Sequence, residues 1–110
     1  MMYGFAQQRR QMLEAELERL KIEMPPLGAM RVLLTGDLAV SRVTPDTSLD
    51  VVVVQSTDEK FHRRADFWTT HLRPRLDTNF IVYTPEEYEQ FVDTDPILIA
   101  TERDGEVIIG

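Results

Sequence analysis

The chain has 110 residues, of which 43% are hydrophobic and 28% charged, and its formal net charge is −7. This length suits one domain spanning residues 1–110, and the composition excludes a disordered chain. No apolar run approaches the roughly 20 residues of a membrane helix. The start of the chain lacks the features of a secretory signal, and there are no cysteines. We therefore expect a soluble cytoplasmic protein. An acidic chain is also a poor general binder of duplex nucleic acid, because contacts with the negatively charged phosphates supply most of that affinity.

The first predicted element is a helix from Gly4 to Glu23. Pro25 and Pro26 end it, because proline lacks the backbone N–H that a helix needs and disfavours helix in the residue before it. Any exposed apolar patch on this helix would favour a homo-oligomer. Its apolar residues recur at spacings of three, four and seven, which predicts one apolar face, formed by Phe5, Met12, Leu13, Leu17, Leu20 and Met24.

Two short apolar runs follow and predict buried strands, Met30–Thr35 and Leu49–Gln55. Four consecutive valines in the second run favour a strand covered on both faces. A further helix is predicted from Asp58 to about Leu72, with Pro74 ending it. Its apolar stripe is assigned to the core: Phe61, Ala65, Trp68 and Leu72.

Five basic residues cluster around this second helix, at Lys60, Arg63, Arg64, Arg73 and Arg75. The cluster is able to face a phosphate, but a solvated helix face is the preferred interpretation. His62 and His71 have no metal-ligand spacing, so surface positions are expected for both.

The last third of the chain predicts a strand, two capped helices and a final strand. Thr78–Tyr83 is the strand, and Thr84 with Glu87 forms a capping-box pattern for the helix after it. Asp95-Pro96 opens the next helix, Gly105 ends it, and Glu106–Ile109 is the last strand. The predicted order is α-β-β-α-β-α-α-β, an α/β (α+β) fold with a small mixed sheet of about four strands flanked by helices.

One segment carries a chemical motif. The first apolar run, Met30–Thr35, is followed by Gly36 and a polar loop, and Asp50 lies at the start of the second strand. This spacing resembles the signature of the nucleotidyltransferase superfamily, the DNA polymerase β-like fold, which is Gly-Ser, a loop and Asp-x-Asp. A second similarity is the run Tyr-Thr-Pro-Glu-Glu at residues 83–87, which ends a strand that holds the third carboxylate in small members of that superfamily.

The resemblance implies an enzyme that transfers a nucleoside monophosphate from an NTP to a protein or small-molecule acceptor. Carboxylates hold two Mg²⁺ ions in such enzymes, and the Gly-Ser turn binds the triphosphate. In this sequence Gly36 is kept, but Asp37 stands in place of the serine. Ser48 stands in place of the first aspartate and Asn79 in place of the third, so only Asp50 remains of three carboxylates.

The resemblance implies three groups of site residues: catalytic positions Asp50, Ser48 and Asn79; nucleotide-binding positions Gly36, Asp37 and Arg42; and Mg²⁺ ligands Asp50 and Asp37. Asp46 or Asp77 would approach the metal if the site were rearranged. Asn79 has a neutral amide and does not act as a general base. Its preferred interpretation is a hydrogen bond to the backbone of a neighbouring strand.

Three functions are compatible with these observations. The favoured one is a catalytically impaired protein that acts as a binding or regulatory partner, since minimal nucleotidyltransferases are often paired with a helical HEPN protein in toxin–antitoxin modules. The second is an active Mg²⁺-dependent enzyme with a rearranged site, in which Asp37 and Asp50 hold the metal. The third is a structural module, for example a homo-oligomer, because fold does not fix function.

Overall fold

The chain folds into five helices and four strands within the residues that the structure describes. The computed structural model describes residues 2–110, with side chains from residue 4 onward. Its elements are α1 Met2–Glu23, β1 Arg31–Thr35, α2 Gly36–Ala39, β2 Leu49–Val54, α3 Arg64–Leu72, β3 Thr78–Tyr83, α4 Pro85–Phe91, α5 Pro96–Asp104 and β4 Glu106–Ile109. The predicted mixed class with a four-stranded sheet is confirmed. The observed order differs from the predicted one in the single-turn α2, which begins the segment expected to be a loop. No helix in the described part is long and apolar enough to cross a membrane.

The four strands form one mixed sheet in the order β3-β2-β1-β4. Strand β1 runs antiparallel to β2 and β4, whereas β2 and β3 are parallel and joined by the crossover that contains α3. The register pairs Thr35 with Asp50 across β1 and β2, and Asp50 with Asn79 across β2 and β3. Residues directly opposite each other in a sheet share a face, so these three side chains form a row at one end of the sheet.

Helices cover both faces of the sheet. On one face α1 and α3 pack on alternate residues of the central strands, and this larger core includes Leu13, Leu34, Val51, Val53 and Trp68. On the other face α4 and α5 pack on the intervening residues, and this smaller core includes Leu33, Val52, Tyr83 and Leu98. The predicted burial of the four-valine run on both faces is confirmed, since all four side chains are buried.

The apolar face of α1 is narrower than predicted. Leu13, Leu17 and Leu20 are buried against the sheet, but Phe5 is 60% exposed and Met12 is 45% exposed. Successive helical residues are rotated by about 100°, so Met12 lies well to the side of its buried neighbour Leu13. Phe5, seven residues earlier, lies on the same side as Met12. The prediction that these two residues belong to the core-facing stripe is therefore wrong.

A buried carboxylate ties α1 to the rest of the domain. Glu16 is buried, and its carboxylate accepts hydrogen bonds from Arg19 Nε at 2.8 Å and from the backbone N of Arg75 at 2.7 Å. The bond from Arg19 is the main cause that lowers the pKa of the Glu16 carboxyl. Arg75 belongs to the connection between α3 and β3, so this contact joins residues far apart in sequence and fixes the position of the helix on the sheet.

The predicted helix from Asp58 begins six residues later than expected, at Arg64. The Thr57 hydroxyl accepts a hydrogen bond from the backbone N of Glu59 at 3.1 Å, and Lys60 is extended with ψ 143°. This local turn competes with helix formation, so only a short 3₁₀ turn, Phe61–Arg63, precedes α3. His62 and His71 are exposed, which confirms that prediction.

Two burial predictions for this helix are wrong, one for a residue expected in the core and one for a residue expected on the surface. Phe61 is predicted to lie in the core, but it is half exposed and packs edge-on against Tyr83. Arg64 is predicted to lie on a solvated basic face, but it is 8% exposed. The four other members of that cluster, Lys60, Arg63, Arg73 and Arg75, are exposed as predicted.

Arg64 is buried because it has strong acceptors. Its guanidinium donates to Glu87 Oε1 at 2.5 Å, to the carbonyl of Val82 at 3.2 Å and to that of Glu59 at 2.9 Å. Glu87 also completes the predicted capping box with Thr84, which is confirmed. The bond from Arg64 is the main cause that lowers the pKa of Glu87. The ion pair therefore links α3 to the start of α4 through the edge strand β3.

We predict that Glu87→Gln lowers the free energy of unfolding at pH 7 by about 1–3 kcal/mol, because it leaves the Arg64 guanidinium buried without its counter-charge. The lowered pKa of Glu87 stabilises the fold above the ordinary carboxyl pKa, and this contribution is lost as pH falls through the folded-state pKa. The difference between wild type and variant in urea unfolding should therefore shrink as pH falls below 4.5, the ordinary pKa of a glutamate carboxyl.

The matched control is Glu18→Gln on the exposed side of α1, where the carboxylate pairs only with Lys21. This variant should change the unfolding free energy by less than about 0.5 kcal/mol at every pH. A Glu87→Gln deficit that stays constant from neutral pH down to strongly acidic pH would show that the ion pair does not stabilise the fold in this way.

Candidate functional site

The row of polar side chains at the end of the sheet converges on one carboxylate. Asp50 Oδ1 accepts a hydrogen bond from Asn79 Nδ2 at 2.7 Å and from Ser48 Oγ at 3.0 Å. The Asn79 amide also lies 3.4 Å from Ser48 Oγ. Ser48 and Asp50 are two residues apart at the start of β2, so they point to the same side of the strand. The structure thus brings together all three positions that the sequence predicts to be catalytic.

Gly36 closes the other side of this carboxylate. A Cβ atom built on Gly36 would lie well inside van der Waals contact of Asp50 Oδ2, and the glycine has φ +75°. Both facts require glycine here, because other residues have a Cβ and rarely adopt positive φ. The glycine of the predicted turn therefore lets the backbone after β1 pass directly against Asp50.

A cleft of about 370 Å³ opens beside Asp50, between the end of the sheet and the first turns of α5. Its floor contains Thr35, Gly36 and Asp50, and its walls are apolar. The wall residues are Ile81, Pro96, Ile97 and Ala100. The cleft is accordingly a mostly apolar space with a carboxylate at one end.

Specific contacts hold α5 in place as the wall of the cleft. The buried Thr101 hydroxyl lies 3.0 Å from Thr35 Oγ1 and donates to the carbonyl of Ile97 at 2.7 Å. Asp95 caps the helix by accepting from the backbone N of Ile97 at 2.8 Å, and it also accepts from the Tyr83 hydroxyl at 2.9 Å. Burial, followed by this bond to Asp95, raises the pKa of the Tyr83 hydroxyl. The cleft wall is therefore attached to both β1 and β3.

Asp37 and Arg42 lie in a neighbouring cavity of about 290 Å³. The backbone N of Arg42 donates to the carbonyl of Asp37 at 2.8 Å, which closes the turn after α2. This cavity also includes Arg103 and Asp104, which form an ion pair at 2.9 Å. Asp37 is exposed and lines this cavity, whereas Asp50 lines the cleft. The cavity and the cleft adjoin, because both include Thr35, Gly36 and Ala100.

The residues around Asp50 do not fit a pair of Mg²⁺ ions. One Mg²⁺ ion is usually bound by one or two carboxylates together with substrate phosphates, so a pair of such ions needs more than one carboxylate to offset its charge. Within the described residues, no group of three or more Asp, Glu or His side chains is placed to hold a metal. Ser48 and Asn79 instead direct hydrogen atoms at the remaining carboxylate. Asp46 and Asp77 are exposed and line neither the cleft nor the neighbouring cavity.

The expectation that Asn79 bonds the backbone of a neighbouring strand is wrong. Its side chain bonds Asp50 and Ser48, because all three lie on one face at the ends of paired strands. The apolar wall of the cleft is a feature that the sequence pattern does not predict. The one available signal is Ile97 directly after the Asp95-Pro96 helix start, which does not indicate on its own where the helix will lie.

Comparison with protein-family models, with curated proteins and with solved structures finds no match for this chain. The functional assignment therefore depends on the geometry of the cleft and on the motif resemblance.

We predict that Gly36→Ala destabilises the protein by about 1–3 kcal/mol, because a Cβ there meets Asp50 Oδ2 at a backbone conformation unfavourable for alanine. Urea unfolding measures the change. In an Asp50→Ala background the same substitution should cost less, because the carboxylate that blocks the Cβ is gone. That double-mutant cycle separates the close contact from the backbone strain.

The matched control is Gly4→Ala, at a helical position where a Cβ would meet nothing within 4 Å. Alanine favours helix over glycine by up to about 1 kcal/mol, so this variant should be neutral or stabilised. If Gly36→Ala were as well tolerated as Gly4→Ala, the close approach of Gly36 to Asp50 would be refuted.

Proposed function

We propose that this chain is a noncatalytic protein of the nucleotidyltransferase superfamily that acts by binding a partner protein. The observation that carries the proposal is the state of Asp50, whose Oδ1 accepts hydrogen bonds from two neutral donors, Asn79 and Ser48. In the enzymes that the motif resembles, these two positions are carboxylates that hold metal ions. Here Ser48 and Asn79 are neutral and donate hydrogen bonds to Asp50. The negative charge and the metal-ligand geometry that catalysis needs are therefore lost at these two positions.

The active alternative requires Asp37 and Asp50 to share a metal. They line adjoining spaces, but Asp50 Oδ1 already accepts two hydrogen bonds, and among the described residues no third acid joins them in a metal-binding group. Asp37 is also an anion at the turn where the resemblance implies a triphosphate, and two anions repel each other without a metal between them. We therefore infer that the protein acts through its surface.

The proposed partner is a helical protein of the HEPN type, as in the toxin–antitoxin pairs that the motif suggests. A homo-oligomer is the competing arrangement. Phe5 and Met12 are exposed and, seven residues apart, lie on the same side of α1. Such neighbouring exposed apolar side chains support some form of association. Light scattering coupled to size exclusion distinguishes the two arrangements, since only the second raises the mass of the isolated chain.

The direct test is calorimetry of the wild-type chain with Mg²⁺ and each of the four common NTPs. We expect no saturable heat at millimolar nucleotide, because one carboxylate remains of the three that the resemblance implies, and its Oδ1 already accepts two hydrogen bonds. Metal-dependent binding of any NTP at micromolar concentration would refute the proposal.

The matched variant is Ser48→Asp combined with Asn79→Asp, which puts three carboxylates at one end of the sheet. Their mutual repulsion should lower the unfolding temperature in EDTA, and millimolar Mg²⁺ should restore at least part of the loss. The wild type should show the same unfolding temperature in both buffers. A wild type that is stabilised by Mg²⁺ as strongly as the variant would contradict the proposed role of Asp50.

A further inference from the structure

The net negative charge of this protein comes from one part of the chain. Residues 84–110 contain eight of the nineteen acidic residues and one of the twelve basic ones, so this segment has the whole net charge of −7 and the rest is neutral. The exposed acids of the segment lie on α4, α5 and β4 or at their ends: Glu86, Glu89, Asp93, Glu102, Asp104 and Glu106. None of these acids lines the cleft itself, but α5, which forms a wall of the cleft, belongs to this negatively charged segment.

Inside the cleft the charge is also negative. Asp50 is the one ionisable side chain among the residues that line it. The rest of the lining is mainly apolar and includes Ile81, Pro96, Ile97 and Ala100. Both described hydrogen bonds to the carboxylate end at Oδ1. Among the described side chains none donates to Oδ2, which lies over Gly36 at the floor of the cleft. The cleft thus has, beside its apolar wall, a carboxylate with one oxygen that no described side chain bonds.

We propose that this cleft binds an arginine side chain of the partner protein, an inference that rests on the proposed function. The guanidinium would donate to Asp50 Oδ2, and the methylene stem would lie against Ile81 and Ile97. Arginine fits better than lysine, because its guanidinium is more weakly hydrated and its stem packs well on apolar surface. A phosphate or carboxylate ligand is disfavoured by Asp50 and by the acidic surroundings.

The test is a titration of the ¹⁵N-labelled full chain, followed by ¹H–¹⁵N NMR. The probe is the peptide acetyl-Gly-Leu-Arg-Leu-Gly-amide, and the control peptide has citrulline in place of arginine. Citrulline has nearly the same shape but no charge. We expect saturable shifts of the Gly36, Ile97 and Ala100 amides with the arginine peptide, and binding at least about tenfold weaker with citrulline.

Two variants on α5 form a matched pair. Ile97 is 42% exposed and lines the cleft, and Ile99 is 41% exposed and lines a separate groove beside α4. Ile97→Lys places a cation in the cleft and should lower the affinity for the arginine peptide about tenfold or more. Ile99→Lys should leave that affinity within about twofold of the wild-type value. Asp50→Asn should abolish the preference for arginine over citrulline, and its amide spectrum shows whether the fold is kept.

Equal loss in both lysine variants, or shifts spread over the exposed acids of α4 and β4, would mean a diffuse electrostatic effect and would overturn the proposal. Equal binding of the two peptides would overturn it as well. Failure here is distinct from failure of the proposed function. If neither the peptide nor Mg²⁺-NTP binds, only the cleft assignment is wrong, whereas tight binding of Mg²⁺-NTP refutes the noncatalytic function itself.

Discussion

A carboxylate at the end of a β-sheet needs hydrogen-bond donors, water or a cation, and in this protein Asp50 has donors from the chain itself. Asn79 on β3 and Ser48 before β2 both donate to its Oδ1, and Gly36 after β1 lies against its Oδ2. Hydrogen bonds to a charged group contribute about 1.5–3 kcal/mol each. One side chain therefore holds the ends of three strands together, and the shape of the cleft depends on this arrangement.

The rest of the fold keeps that arrangement in register. The in-register pairs of Asp50 with Thr35 and with Asn79 require α1 and α3 to cover one face of the sheet while α4 and α5 cover the other. Glu16 fixes α1 against the connection before β3, and the buried Arg64–Glu87 pair fixes α3 against α4. Because the two contacts tie both helical layers to the sheet, neither layer is free to shift relative to the polar row.

Much of the architecture could be predicted from local signals. The four-valine run, the Thr84–Glu87 capping box and the Asp95-Pro96 helix start each depend on short-range geometry, and each is observed. The failures depend on distant partners. Arg64 is buried because Glu87, 23 residues away, neutralises it, and Phe61 is exposed because the helix starts after it. The motif spacing predicts that Gly36, Ser48, Asp50 and Asn79 lie together, but it does not indicate that Asn79 donates to Asp50, since that depends on the parallel pairing of β2 and β3.

The central claim is that Asn79 and Ser48 satisfy Asp50 in place of a metal ion. The most direct measurement is paramagnetic broadening of amide resonances on addition of equimolar Mn²⁺ to the ¹⁵N-labelled chain, because a bound Mn²⁺ ion broadens the signals near it and replaces Mg²⁺ at oxygen sites. We predict that the resonances of Gly36, Asp50 and Asn79 keep their line widths relative to exposed acidic residues such as Asp93. Selective loss of these three signals at equimolar Mn²⁺ would show a cation site at Asp50 and would contradict the claim.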